Sequence, residues 1–529
     1  MSIARKHFNT AGPVNANDHY LIDPLHRIDL EEIEILIENQ KYFVLHAPRQ
    51  TGKTSYMLSL MEYLNQQGNY TCLYVNVEAA QAARQNIHEG IKAILSALGQ
   101  SASYYLKDSF IEENWVPILN KNGALIGLNQ MLSQWSQQSE KPIVLFIDEI
   151  DSLVGDTLIS VLRQLRSGYT MRPGAFPQSV ILCGVRDVRD YRIYSDEQKD
   201  VVTGGSAFNI KTKSLRLGNF NAFEIEALYQ QHTTETGQSF AKDIFQLVWD
   251  LTEGQPWLVN ALAYEACFDM KEGRDRNKEI TRSIIEQAKE NLILRRDTHL
   301  DQLSDKLKED RVRRVIEPLL VGSEKSETIP QDDIDYVVDL GLVKKDRQIR
   351  IANRIYQEVI PRTITYSTQL TIHQESLWYL KEDGSLDMGK LLLAYQDFFR
   401  NQFESWVGGF DYKEAGPQLL LQAFLQRIVN GGGRVEREYG LGRQRTDIMV
   451  FWPYRGSIQR AVIELKIQYG KLETTIKQGL EQTYQYMDKC GASVGYLLII
   501  NQAAKKSWKE KIFTKERTFN GSTITIYGM

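Results

Sequence analysis

Cysteine is scarce in this chain, with four among 529 residues, at Cys72, Cys183, Cys267 and Cys490. They stand far apart with no CxxC pair, so neither a zinc ribbon nor a disulfide framework is indicated, and they read as small buried residues. Proline is also sparse, at 13, and with 42% hydrophobic and 25% charged residues the composition argues against extensive disorder. No apolar run approaches the roughly 18 residues that a bilayer span needs, and the start, MSIARKHFNTAGPVN, has no apolar h-region. A cytoplasmic protein without membrane association is therefore expected. No internal repeat or low-complexity tract is present. The length exceeds what one hydrophobic core supports and predicts roughly three or four domains.

The formal charge of -4 conceals an asymmetry. From residue 406 onward Lys and Arg number 18 against 11 Asp and Glu, a balance of +7, which leaves 45 against 56, or -11, for the rest. A basic terminal domain on an acidic body is what a polyanion partner would meet, because phosphate contacts dominate nucleic-acid affinity. Basic faces are common, so the charge alone does not decide this.

Between residues 30 and 200, helix-period stretches alternate with the β-branched runs YFVL (42–45), CLYVNV (72–77), IVLFI (143–147) and SVILCGV (179–185). This pattern predicts an α/β domain with a parallel sheet over residues 1–215. Helical spacing without strands predicts a lid over 216–298. Helices followed by a turn at Asp339-Leu340-Gly341 and the alternating RQIRIANRIY, a small hairpin, fit a winged helix over 299–365. A helical connection (366–405) leads to a second α/β domain (406–529), with a helix at 417–430, a Gly-Gly-Gly break at 431–433, strands, and another helix at 474–489.

Two constellations carry chemistry. In the first, Ala47-Pro48-Arg49-Gln50-Thr51-Gly52-Lys53-Thr54, continued by Ser55, matches the phosphate-loop pattern GxxxxGK[ST] except that Ala47 replaces the first glycine. Gly52 lets the backbone curl around phosphates, Lys53 supplies a point charge to the β/γ oxygens, and Thr54 is a Mg²⁺ ligand. Downstream, IVLFIDEID (143–151) puts Asp148 and Glu149 at the carboxyl end of a buried strand. There Asp148 can reach the magnesium-bound water and Glu149 can orient an attacking water; the bland alternative is a strand end with solvated acids.

With these motifs the chain resembles the AAA-like P-loop ATPases of the signal-transduction (STAND) and archaeal-ATPase group, over about residues 20–365, including GVRDVRD (184–190) and ANRIYQEVIPR (352–362). The resemblance implies ATP and Mg²⁺ as cofactors and a polar sensor after the next strand. Arg186 is the candidate γ-phosphate sensor, with a structural pair to Asp187 or Asp190 as the equal alternative. It further suggests Asn76 as a polar switch for Glu149. Arg163 and Arg166 become candidate fingers toward a neighbouring subunit, compatible with a homo-oligomer.

The second constellation is GLGRQRTDIMVFW…RAVIELKIQYG, with Asp447 after a Gly/Arg-rich turn and Glu464-Leu465-Lys466 in a later strand. Strand alternation puts Val462, Glu464 and Lys466 on one face and Ile463, Leu465 and Ile467 toward the core. Two carboxylates that hold Mg²⁺ and a lysine that positions or deprotonates a nucleophile are what phosphodiester hydrolysis requires. An edge strand with an i,i+2 salt bridge to solvent is the alternative. The region resembles the PD-(D/E)XK nuclease superfamily over about residues 410–529, with Thr446 in the place of the eponymous proline. That resemblance implies Asp447 and Glu464 as metal ligands (Mg²⁺, with Mn²⁺ as a substitute), Lys466 as the catalytic lysine, Gln482 and Tyr486 as the QxxxY pair of the RecB-like branch, and Glu438 as a further catalytic acid, for which Glu436 competes. Arg434, Arg437, Arg443, Arg445, Lys505, Lys506, Lys509 and Lys511 frame the cleft as candidate phosphate grips.

Together these readings predict an ATP-regulated, metal-dependent nuclease acting on nucleic acid, with DNA favoured. Such fusions resemble prokaryotic conflict and mobile-element systems, which suggests antiviral defence by analogy alone. The alternatives are a nucleotide-switch scaffold, or a DNA translocase, whose terminal domain binds nucleic acid without cutting.

Overall fold

The four β-branched runs become strands in the computed structural model, which describes residues 6–187, 192–195, 200–203, 208–295, 298–321, 329–346, 348–364, 378–407, 415–429, 433–438, 447–501, 503 and 506–529. The chain divides into two compact units, Met1–His299 with Val338–Leu342, and Leu300–Val337 with Val343–Met529.

The first unit opens with the short parallel pair β1 (His7–Phe8) and β2 (His19–Tyr20). Helix α1 (Leu30–Glu38), capped by Asp29, precedes β3 (Tyr42–His46), α2 (Lys53–Gln67), β4 (Thr71–Asn76), α3 (Ile87–Ser101), α4 (Phe110–Asn122), α5 (Ala124–Gln138), β5 (Ile143–Asp148), α6 (Gly155–Ser167) and β6 (Ser179–Gly184). With β9 (Lys211–Arg216), which follows the small hairpin β7 (Arg192–Ser195) and β8 (Asp200–Thr203), the strands form a parallel sheet in the order β4-β5-β6-β3-β9. Alternation divides each strand between two cores. Phe43, Leu45, Tyr74, Val144, Phe146 and Ile181 pack toward α1 and α2, while Tyr42, Val44, Leu73, Leu145, Val180 and Leu182 pack toward α3, α5 and α6. Both faces are covered, hence the near-continuous apolar runs. The sequence reading names no strand at KTKSLR, where only Leu215 is buried and no apolar run marks the edge strand.

The segment expected to form a helical lid holds α7 (Ala222–Thr236), α8 (Ile244–Thr252), α9 (Pro256–Tyr264) and α10 (Arg282–Arg295). Asn221 and Glu224 form a capping box that starts α7, and proline at N1 with a Gln255 cap starts α9.

Helix α11 (Thr298–Lys306) leads on to α12 (Asp310–Val321), α13 (Gln331–Asp339), the antiparallel pair β10 (Val343–Lys345) and β11 (Ile349–Ile351), and α14 (Arg354–Ile364). The expected hairpin over RQIRIANRIY is thus corrected in its second half. The Asn353 side chain accepts from Tyr356 N at 2.9 Å, an N-cap that turns the chain from strand to helix. The second unit then carries α15 (Met388–Val407) and α16 (Ala415–Val429). A six-stranded mixed sheet follows from β12 (Arg434–Glu438), β13 (Asp447–Tyr454), β14 (Ser457–Ile467), β15 (Val494–Ile500), β16 (Phe513–Phe519) and β17 (Ser522–Gly528), in the order β12-β13-β14-β15-β17-β16. Helix α17 (Leu472–Cys490) joins the parallel neighbours β14 and β15, and the short α18 (Trp508–Lys511) precedes β16. One sheet face packs Ile448, Val450, Ile463 and Leu498 against α15 and α16; the other packs Met449, Val462, Leu497 and Ile499 against α17. Among the described residues no helix is long and apolar enough to cross a membrane.

Candidate functional sites

In the first unit, β3 delivers the chain to the predicted phosphate loop and α2 leaves from it. Gly52 stands at φ +88° and Gln50 at +56°, so the loop turns through left-handed backbone that glycine tolerates and glutamine resists. The Lys53 ammonium, 6% exposed, donates to the carbonyl oxygens of Ala47 at 3.0 Å and Pro48 at 3.1 Å, and Thr51 Oγ1 donates to Pro48 O at 2.7 Å. The lysine and the N-terminal amides of α2 therefore stand together at the loop, an arrangement that suits an anion. Arg49 lies exposed on the loop, and Ser55 is buried with Oγ accepting from Val14 N at 3.0 Å.

Asp148 ends β5 fully buried. Thr54 Oγ1 donates to its Oδ2 at 2.8 Å, Tyr74 OH to the same oxygen at 2.9 Å, and Glu149 N to Oδ1 at 2.9 Å. A buried carboxylate held by neutral donors beside a threonine hydroxyl is a pair of hard oxygen ligands, so these residues fit the Mg²⁺ that the fold implies. Glu149 adopts φ +58°, turning the chain sharply after the strand. Burial holds its carboxyl above the ordinary glutamate range; the Asp151 charge adds to this, and the Lys53 ammonium opposes it.

Arg186 follows β6, as the sensor reading expects, but its Nε lies 3.5 Å from Asp339 Oδ2. Asp187 instead binds the Lys211 ammonium, at 2.7 Å from Oδ1, together with the Ser214 hydroxyl, while Asp190 lies outside the described residues. Arg186 thus meets Asp339, a partner that the sequence did not offer. Asn76 turns its Oδ1 to Glu78 N at 2.7 Å, capping the next turn. Arg163 and Arg166 are exposed on α6.

Sequence reasoning missed the cavity beside this loop. It is lined by residues of the amino-terminal segment, among them Thr10 and Gly12, by Gln50, Gly52 and Ser55 of the loop, and by Phe220, Trp257 and Asn260 of the lid. No local pattern marks them, since they lie more than 240 residues apart at the extremes and meet only through the fold. Arg27 also lines it, with its guanidinium 5.0 Å from the Phe220 ring centroid and donating to the carbonyls of Thr51 and Gly218. The loop is bonded directly to the start of α9 and to α11. Gln255 Nε2 donates to Gln50 O at 3.4 Å, and His299 Nδ1 stands 2.6 Å from Gln50 Oε1 while stacking on Trp257 at 4.8 Å. Burial pushes the His299 imidazole down to about 3, so it serves as a neutral hydrogen-bonding group.

In the second unit, pairing register aligns the predicted acids. Glu438 of β12 pairs opposite Asp447 of β13, and since Ile448 pairs with Ile463, Asp447 falls level with Glu464 of β14. The side chains of Glu438 and Asp447, like those of Glu436, Arg434 and Arg437, lie outside the described residues, as do Arg443, Arg445 and Lys505 altogether. Glu464 is 3% exposed, and the Lys466 ammonium lies 2.7 Å from its Oε1. Their face is not open along its length: Val462 is fully buried beneath α17, so the expectation of one core face is corrected to two. A hollow at the end of this face is lined by Lys466, Gln478, Glu481, Gln482 and Gln485, which brings Gln482 to the lysine. Tyr486, one turn further, packs half-buried against the same core. Lys506 and Lys509 are exposed, but Lys511 is buried with its ammonium 5.2 Å from the Trp508 ring centroid. Its expected role as a surface phosphate grip is corrected, since the ring and the burial have removed the charge from open solvent.

A lysine-bearing loop between a buried parallel strand and a helix, with a hydroxyl and a strand-end aspartate converging at 2.8 Å, defines a P-loop ATPase domain. The chain belongs to the AAA-like domain family, whose model matches residues 10–360. Among solved structures it is similar to a Walker-type ATPase of Pyrococcus abyssi (13% identity, covering 67% of this chain and 99% of that one, TM-score 0.47). Others are the Cdc6p of Pyrobaculum aerophilum (14%, 64% and 93%, TM-score 0.34) and the RuvB Holliday junction branch migration motor of Thermotoga maritima (12%, 63% and 95%, TM-score 0.32). No curated protein matches the sequence.

Proposed function

We propose that the chain is an ATP-regulated, metal-dependent nuclease, in which the first unit binds and hydrolyses ATP and residues 406–529 form a PD-(D/E)XK domain that cleaves nucleic acid, with DNA as the substrate. The observation that carries the nuclease reading is the Glu464–Lys466 contact of 2.7 Å at a buried strand end, with Asp447 and Glu438 at the same register level. A solvated edge-strand salt bridge has no reason to be buried or to meet acids aligned from two further strands. In this reading Asp447 and Glu464 would hold the ion, Lys466 orients the nucleophile or takes its proton, and Gln482 and Tyr486 position the strand. A divalent ion bound there supplies charge neutralisation for the phosphodiester and lowers the pKa of a bound water.

In the first unit, Thr54 and Asp148 would hold Mg²⁺, Lys53 binds the β/γ oxygens, Glu149 orients the attacking water, and Arg186 reads the γ-phosphate on exchanging Asp339 for it. Residues 299–365, from α11 to α14, form a winged helix that rearranges with the lid. Exposed Arg163 and Arg166 serve a neighbouring copy in a homo-oligomer, and the setting is prokaryotic defence.

Cleavage of supercoiled plasmid with Mg²⁺ or Mn²⁺, run without nucleotide, with ATP and with a non-hydrolysable analogue, tests the proposal. Glu464→Ala and Lys466→Ala should each lose cutting by a factor on the order of 100 or more. Unimpaired cutting by either refutes the site assignment, and an absence of cutting in all three nucleotide states favours a nucleotide-switch scaffold. That second reading is favoured by one observation, the direct bonding of Gln255 at the start of α9 and His299 of α11 to Gln50, since it gives the nucleotide a mechanical output without any second enzyme.

A further inference from the structure

Asn260 lies one turn into α9 with 8% of its surface exposed. Its Nδ2 donates to Pro256 O, four residues back, at 2.8 Å. That bond sets the orientation of the amide, because a flipped side chain would face oxygen against oxygen. The Oδ1 atom is thereby committed as an acceptor, and it is buried with no hydrogen-bond partner among the described residues. A buried acceptor left without a donor costs its full desolvation, and such atoms in a native fold call for a ligand or a role. Asn260 lines the same cavity as Gln50, Gly52 and Ser55 of the phosphate loop and the apolar Leu228, Phe220 and Trp257. A nucleotide anchored by its phosphates at the loop can therefore lay its base against these apolar, aromatic walls, which carry one committed acceptor.

We propose that Asn260 selects the base: its Oδ1 accepts a hydrogen bond from the exocyclic amino group of a 6-aminopurine and repels the 6-oxo oxygen of inosine or guanosine nucleotides. This rests on the nucleotide reading of the phosphate loop and specifies which triphosphate that site takes. Apolar and aromatic walls hold any purine by burial and stacking, so they do not discriminate; a buried polar group that one base satisfies and another does not is what separates them.

The test is titration of the full-length protein with ATP and with ITP, which differ at position 6 of the base, for the unaltered chain, Asn260→Leu and Lys53→Ala. The unaltered chain should bind ATP about tenfold or more tightly than ITP. Asn260→Leu should still bind both, with the ratio reduced to within about threefold. Lys53→Ala should weaken both in parallel and leave the ratio in place. A ratio near one in the unaltered chain overturns the proposal without recourse to any variant, and so does a ratio that survives Asn260→Leu. Failure of the unaltered chain to bind either triphosphate overturns the nucleotide reading itself and the base selection with it.

Discussion

Glu149 concentrates three costs in one side chain: left-handed backbone on a residue that disfavours it, a half-buried carboxyl, and Asp148 and Asp151 as acidic neighbours. Its folded-state pKa is raised, so the fold favours the protonated form. The stabilising contribution is complete below the ordinary glutamate pKa and is lost as pH rises through the elevated folded value. Replacing the carboxylate with a neutral isostere removes that loss. Glu149→Gln should therefore raise the thermal midpoint without nucleotide at neutral pH, by about 1–3 °C, and the gain should vanish in acid. In the same variant ATP binding persists while turnover falls by a factor on the order of 100 or more. Calorimetry at two pH values, with a phosphate-release assay, checks both halves; a midpoint gain that persists unchanged in acid contradicts the charge origin. The identity of Glu149 is legible in the sequence because FIDEID is contiguous. The partner of Arg186 is not, since Asp339 lies 153 positions away and a charged residue in a loop announces no address.

Elements were more legible than tertiary neighbours, for a physical reason visible in α17 and β9. Helix α17 carries Ile476, Leu480, Thr483 and Met487 on its buried face, a period that reads directly from sequence. Strand β9 is an edge with one buried apolar residue, Leu215, and its lysines mask it. What the period does not reveal is how closely α17 lies on the sheet. A Cβ at Gly479 would stand 2.5 Å from Leu497 Cδ1, and one at Gly495 of β15 would stand 2.4 Å from Met487 Sδ, so two glycines let helix and strand meet almost backbone to side chain. In an open helix Gly→Ala gains roughly 1 kcal/mol of propensity; here overpacking against the fully buried Leu497 costs about 1–3 kcal/mol and wins. Gly479→Ala should lower the urea midpoint by a net cost of about 1 kcal/mol. It should also impair cleavage more than its stability loss explains, because Gln482 rides on the displaced helix. Destabilisation with fully retained cutting would separate the helix position from the proposed nuclease site.

At the scale of the whole chain, charge is distributed unevenly along the sequence, with +7 from residue 406 onward and -11 before it. Self-repulsion within the basic part costs stability, and a polyanion partner offsets that cost through counterion release, so binding should weaken steeply with salt. The sequence alone counts every lysine alike, whereas the fold sorts them. Lys506 and Lys509 are exposed and keep their charge available to phosphates. Lys511 is 6% exposed against Trp508, and burial lowers its pKa, so its methylene stem and ring contact serve packing. Reversing Lys506 and Lys509 to glutamate should weaken binding of a DNA duplex and reduce the slope of log affinity against log salt by about one for each phosphate no longer neutralised. Lys511→Met, which keeps the stem and drops the ammonium, should leave that slope unchanged. Fluorescence anisotropy across a salt series distinguishes them, and a slope that falls with Lys511→Met but not with the double reversal would place the nucleic-acid face elsewhere on the chain.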